Sequence, residues 1–282
     1  MRREFEVVQR ALQRAESKVK LNVTWRRIHE ETGIGDLVGA SLVLSHGDRA
    51  QLRDWLNRKT GVDPLSKEKL GATRMDLAQQ GRDEKLAMEP VFGGMIKVAR
   101  ADGTALKLTA GPAIVPPGSL LNVESEALIV AQEPVVIVEN GAAMRNWQEI
   151  NLPDHIKSAI LIYRGHGGDA QHVLNLLKGG GAACRVGFFD FDPAGLQMGL
   201  TLPIDGLLIP ADWPALTADA NWVRDYNKPE SFWHQGVALQ YLKQHAPASL
   251  TTLIQHIELN QLAITQEHII KHRIPLQLIS LI

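Results

Sequence analysis

The chain has 282 residues, 45% of them hydrophobic and 22% charged, with a formal net charge of −1. That composition is ordinary for a folded protein of about two domains and leaves ample apolar mass for a core. The single cysteine, Cys184, excludes an intrachain disulfide, and no apolar run approaches the roughly 18 residues a membrane span needs. The opening MRREFEVVQRAL has no apolar signal region. The expectation is a soluble cytoplasmic protein with no membrane partner.

Charge is spread unevenly. Residues 1–100 hold 19 Lys and Arg against 14 Asp and Glu, a surplus of +5, whereas 101–282 carry a net −6. A basic part that meets a polyanion, joined to an acidic part that gathers carboxylates for a cation, would look like this. So would ordinary fluctuation over a hundred residues.

Residues 4–20 place Phe5, Val8, Ala11, Leu12 and Ala15 at helical spacing. Thr24 is the expected cap of a second helix that Gly33 and Gly35 stop. Ser45-His46-Gly47-Asp48 opens a third, with Leu52, Trp55 and Leu56 on one side and Gly61 beyond its end. Residues 1–61 therefore read as a helical, winged-helix-like module that contacts DNA, or as a plain helical packing domain. Residues 62–125 read as a small β-rich connector. Ala101-Asp102-Gly103 is its hairpin turn, and Pro116-Pro117-Gly118 is a break just before a domain boundary.

From 126 to 282 the pattern becomes α/β. Continuous apolar strands are expected over 134–139, 158–165, 184–192 and 205–210, with helices near 142–150, 168–178 and 194–200. Unbroken apolar strands separated by short helices indicate a Rossmann-like parallel sheet covered on both faces. Glu139 ends the first strand and Asp190 and Asp192 end the third, at the edge where such sheets bind ligands. Acids gathered on one rim repel unless a cation joins them, and Mg²⁺ or Mn²⁺ suits a carboxylate set that also meets phosphate. Each acid also has a structural reading: Asp192 as the cap of a helix opened by Pro193, Glu139 as part of the Asn140-Gly141 turn.

A strand ending in Glu, followed about fifty residues later by a strand ending Asp-x-Asp before Pro-x-Gly, resembles the Toprim domain. VVIVEN, ILIYRGHGG and VGFFDFDPAGL together resemble the Toprim of the type VI topoisomerase A subunit. They are more similar still to the nuclease subunit of Wadjet-type plasmid-defence systems. The likeness covers roughly residues 130–212. LAITQEHI is similar to a Gln-Glu segment of the same relatives, which adds Glu267 as a further candidate ligand. The resemblance implies that Glu139 transfers protons or binds metal and that Asp190 and Asp192 hold Mg²⁺. It implies that Gly165, Gly167 and Gly168 admit a phosphate, and that the partners are double-stranded DNA and an SMC-like ATPase complex. A homodimer would place two sites on the two strands of a duplex.

The topoisomerases attack with a tyrosine that precedes the Toprim domain. Tyr163, Tyr226 and Tyr241 all follow Glu139, so hydrolysis by activated water is expected instead of religation. The alternative is a non-catalytic DNA-binding or adaptor subunit. Weaker signals remain. His268 and His272 have the spacing of a zinc pair. Trp213, Trp222 and Trp233 lie in a loop-rich stretch and either stack on bases or anchor that stretch. The apolar end, 276–282, reads as an exposed tail able to dock on another chain.

Overall fold

A computed structural model describes residues 2–66, 72–79, 86, 87, 92–179 and 181–281; it falls into two units, Met1–Gly93 and Gly94–Ile282.

In the first unit, α1 (Arg2–Gln13) buries Phe5, Val8 and Ala11. It ends well before residue 20: Ala15 turns left-handed (φ 49°), Glu16 N–H donates to the Ala11 carbonyl, and the chain extends as β1 (Lys18–Lys20). The cap of α2 (Val23–Thr32) is Asn22, whose side chain accepts from Trp25 N–H at 3.0 Å; Thr24 lies inside the helix instead. Gly33, at φ 68°, stops α2 as its sequence requires. The hairpin of β2 (Asp36–Val38) and β3 (Ser41–Val43) pairs with β1 in a three-stranded antiparallel sheet, order β1-β3-β2. These three-residue strands are too short to leave an alternating pattern. α3 (His46–Thr60) starts at a reciprocal Ser45–Asp48 capping box and ends at Gly61. A short α4 (Arg74–Gln79) follows. Trp25, Ile28, Leu42, Leu52 and Leu56 form the core of this unit.

The second unit is built on a seven-stranded sheet. Its strands are β4 (Met95–Arg100), β5 (Leu121–Glu124), β6 (Pro134–Val138), β7 (Ile160–Tyr163), β8 (Cys184–Phe188), β9 (Gly206–Pro210) and β10 (Leu276–Ser280), in the order β10-β9-β8-β6-β7-β4-β5. The four strands read as an α/β core are mutually parallel, but the sheet as a whole is mixed. β10 runs antiparallel to β9, and β4 runs antiparallel to both β7 and β5. Val135–Val138, Ile160–Ile162 and Val186–Phe188 are buried without interruption, as strands covered on both faces must be. The helices are α5 (Gly141–Arg145), α6 (Gly168–Gly179), α7 (Pro193–Thr201), α8 (Trp213–Ala218), α9 (Ala220–Tyr226), α10 (Pro229–Trp233), α11 (Gly236–His245), α12 (Thr251–Leu259) and α13 (Gln266–Lys271).

Several expectations change here. The connector placed over 62–125 is divided, because β4 and β5 are hydrogen-bonded into the main sheet and belong with it. Its residues 67–71, 80–85 and 88–91 lie outside the described residues. Ala101-Asp102-Gly103 does turn the chain, with Gly103 N–H donating to the Arg100 carbonyl. The β4–β5 connection nevertheless runs on to residue 120 and is not a two-residue hairpin. Pro116-Pro117-Gly118 forms a tight turn inside this unit, so no boundary falls after it. The stretch 213–233 is three short helices rather than loop, since Asp212 and Asp219 cap their starts and Pro214 and Pro229 occupy first turns. The apolar tail is an edge strand of the main sheet: residues 276–280 pair with 206–210, and Leu276 is buried.

Candidate functional site

The chain leaves β6 for β7 on one side and returns to β8 on the other. The carboxyl ends of β6 and β8 thus border the switch point where open α/β sheets bind ligands. Glu139 follows β6, and its N–H donates to the Phe188 carbonyl at the end of β8, 3.2 Å away. The two strand ends are therefore stitched directly beneath the acids.

β8 stops at Phe188, four residues earlier than its apolar run suggested. Beyond it, Phe189 and Phe191 turn into the core, and Phe191 exchanges both main-chain hydrogen bonds with Ile264 (2.8 and 3.2 Å). Asp192 caps α7, with Pro193 in the first turn: its Oδ1 accepts from Gly195 N–H and its Oδ2 from Gln235 Nε2, each at 2.7 Å. The capping role of Asp192 coexists with its place on the rim. Gly195 is obligatory, since a Cβ there would lie 2.1 Å from the Asp190 carbonyl oxygen.

Asp190 itself accepts from the main-chain N–H of Gln266 at 2.8 Å. The Gln266 side chain, 0% exposed, accepts from Asn140 N–H through Oε1 and donates to the Phe188 carbonyl through Nε2. Next to it, Glu267 Oε1 accepts from Asn140 Nδ2 at 2.7 Å. One buried glutamine at the start of α13 thus ties both strand ends and one acid together. Glu267 stands beside Asn140, immediately after Glu139. It also lines a cavity of about 290 Å³ with Asn146, Glu149 and His268.

The electrostatics follow from this crowding. Burial pushes the Asp190 carboxyl up to about 7; the Gln266 N–H opposes the shift, while Asp192, Glu139 and Glu267 add to it by repulsion. Burial also raises Glu139, against the pull of Arg164, the Asp190 N–H and His166 and with a further push from Asp192. Asp192, 7% exposed, is raised by burial and held back by Gln235, Gly195 and Ala194. Asp190 thus feels three other acids on the same rim.

Among the described residues, no three His, Cys, Asp or Glu side chains close on a single point as a finished metal site. Magnesium needs less, because it is commonly held by one or two carboxylates and keeps its waters. Glu139 Oε2 and Glu267 Oε2 are both buried without a hydrogen-bond partner, which is the condition a hard cation relieves. Unpartnered carboxylate oxygens are the donor type that Mg²⁺ or Mn²⁺ takes.

In the loop after β7, Arg164 N–H donates to the Val138 carbonyl at 2.9 Å. Gly165 (φ 71°) and Gly167 (φ 58°) take left-handed conformations, and Gly168 opens α6. Arg164 is the cation facing Glu139, and its Nε is buried without a partner. Sequence reasoning passed over Arg164, Asn140, Gln235 and Gln266. Two of them left a signal, Gln266 as the neighbour of Glu267 and Asn140 in the Asn140-Gly141 turn after Glu139. The histidine pair is otherwise engaged: Tyr226 packs on His268 and His272, ring centroids 5.2 and 4.3 Å away, and no zinc site forms among the described residues. Trp213 packs on His256 and Trp222 on Tyr226, whereas Trp233 stays exposed.

A family model described as a domain of unknown function (DUF7281) matches residues 93–278, and its start coincides with the start of the second unit. No curated protein matches the chain.

Proposed function

The chain belongs to the DUF7281 family, and from that premise and the acid rim we propose that it is a divalent-metal-dependent DNA endonuclease of Toprim type. The observation that carries this reading is the convergence of three other acids on Asp190, from the ends of β6 and β8 and from α13; burial is the larger cause of its raised carboxyl, and their repulsion adds to it. Carboxylates are brought together against their own repulsion where a cation is to be bound. Mg²⁺ or Mn²⁺ held there would neutralise phosphate charge and lower the pKa of a bound water.

The chain's own residues divide the remaining work. Asp190 and Asp192 are the ligands, the latter oriented by Gly195 and Gln235. Glu139, raised by burial and accepting from the Asp190 N–H, is the residue suited to take a proton from the attacking water. Glu267 is a supplementary ligand positioned by Asn140. Arg164 and the Gly165–Gly168 loop receive the phosphate, and the first unit's own small basic surplus, 17 Lys and Arg against 14 Asp and Glu over residues 1–93, supports a duplex-holding, winged-helix-like role for it. By resemblance to the Wadjet-type nuclease subunit, the same reading gives an SMC-like ATPase complex as partner, a homodimer as the cutting form and plasmid defence as the role.

One observation favours a second reading, a non-catalytic DNA-binding subunit on the same scaffold. Both Asp192 oxygens already accept hydrogen bonds from the protein. Incubation of supercoiled plasmid with the full chain and Mg²⁺ or Mn²⁺, beside an Asp190→Ala, Asp192→Ala variant, separates the two. Nicking by the native chain alone supports the nuclease; equal nicking by both proteins refutes this site. DNA binding without metal-dependent nicking, with the proposed partner present, supports the adaptor.

A further inference from the structure

Three tryptophans lie between α8 and α11, and the structure separates them. Trp213 and Trp222 pack against the core of the second unit, whereas Trp233, the last residue of α10, is 65% exposed. An exposed indole usually swings freely, but this one does not. Its Nε1–H donates to Gln261 Oε1 at 2.9 Å, which fixes the ring plane and leaves ring surface open. The following turn is closed by Gln235 N–H donating to the Phe232 carbonyl.

That turn is anchored in the acid rim at both ends. Gln235, two residues from Trp233, donates to Asp192 Oδ2 and accepts from Ala194 N–H. Gln261 begins the segment that pairs Ile264 with Phe191, brings Gln266 N–H to Asp190 and places Glu267 beside Asn140. The open ring and the carboxylates therefore belong to one hydrogen-bonded frame. Lys228 and His234 are exposed on the same short stretch, and both can meet phosphate.

We propose that Trp233 stacks on an unpaired nucleobase of the strand whose phosphate lies at the acid rim. The proposal rests on the nuclease reading and adds a ligand to it: single-stranded or locally opened nucleic acid in place of intact duplex. Every base offers a π-face, so a fixed aromatic platform grips a strand without reading its sequence. An exposed tryptophan held by its own N–H meets that need, because little side-chain freedom remains to be lost on binding.

The test is a binding titration of a 15-nucleotide poly-dT strand and a matched duplex, in EDTA at fixed salt, against the native chain, Trp233→Ala and Trp233→Phe. Stacking predicts that Trp233→Ala weakens single-strand binding by about tenfold or more, that Trp233→Phe recovers most of it, and that duplex affinity changes little. Equal single-strand affinity for the native chain and Trp233→Ala overturns the inference, while plasmid nicking by the same preparations still reports on the nuclease reading. A Trp233-dependent affinity with no metal-dependent nicking, with the proposed partner present, leaves the stacking site standing and removes the nuclease. Sedimentation of the same proteins covers a rival occupant. If Trp233→Ala abolishes self-association and leaves single-strand affinity intact, the ring belongs to an interface with a second copy and the inference fails.

Discussion

The Gln266 main-chain N–H donates to the Asp190 carboxylate while its side-chain amide bridges Asn140 N–H and the Phe188 carbonyl. A single fully buried residue therefore sets the spacing between the end of β6 and the end of β8. Gln266→Ala leaves the half-buried Asn140 N–H without its partner and strips the Phe188 carbonyl of one of its two donors, Glu139 N–H being the other. The expected loss is about 2–4 kcal/mol of folding stability, read by urea denaturation, with weaker Mn²⁺ binding by the folded fraction.

Asp190→Asn tests whether the rim is strained by charge. The amide keeps the shape and removes the acid that the other three repel. At pH 8 without metal the variant should melt higher than the native chain, and added Mg²⁺ is expected to raise the melting temperature of the native chain and not that of the variant. A structural aspartate would give the opposite: a lower melting temperature and no change in the response to metal.

The pH dependence has a definite sign. The folded-state value for Asp190, about 7, lies above its ordinary 3.8, so the folded protein holds a proton there that the unfolded chain has released. Its stabilising contribution is complete below about pH 4 and is lost as pH rises through 7, up to roughly 4 kcal/mol for a shift of this size. Denaturant midpoints in EDTA should show this component falling between pH 5 and 8. Mg²⁺ should restore more stability at pH 8 than at pH 5, because protons compete with the cation.

Gly195→Ala should be severe. The added methyl would meet main-chain atoms of Asp190, its carbonyl oxygen at 2.1 Å, and no flexible side chain can yield there. A loss of about 3 kcal/mol or more is expected by thermal or chemical unfolding. By contrast, Gly167→Ala meets no atom within 4 Å and pays only for its left-handed backbone, on the order of 1 kcal/mol.

What was legible in the sequence was local. Val135–Val138 and Val186–Phe188 announced themselves as unbroken apolar runs, and Ser45 with Asp48 announced the start of α3 through side chains three residues apart. The positions of Glu139, Asp190 and Asp192 at one edge followed from the same runs. Long-range pairing was not legible. Leu276–Ser280 alternates no differently whether it hangs in water or pairs with Gly206–Pro210, and β4 carries no mark of joining β7. Gln266 escaped notice for the same reason: a glutamine becomes a buried clamp only through partners 78 and 126 residues away. Arg164 lay unremarked inside the expected strand 158–165, because nothing local marks it as the neighbour of Glu139.

The contribution of α13 to the rim has a consequence for biosynthesis. Glu139, Asp190 and Asp192 leave the ribosome well before Gln266 and Glu267, so a nascent chain carries the three earlier acids without the residue that spaces them. Strand β9 likewise waits for residues 276–280 before its outer edge is paired. The rim is therefore assembled only after residues 266–280 have been made and have docked.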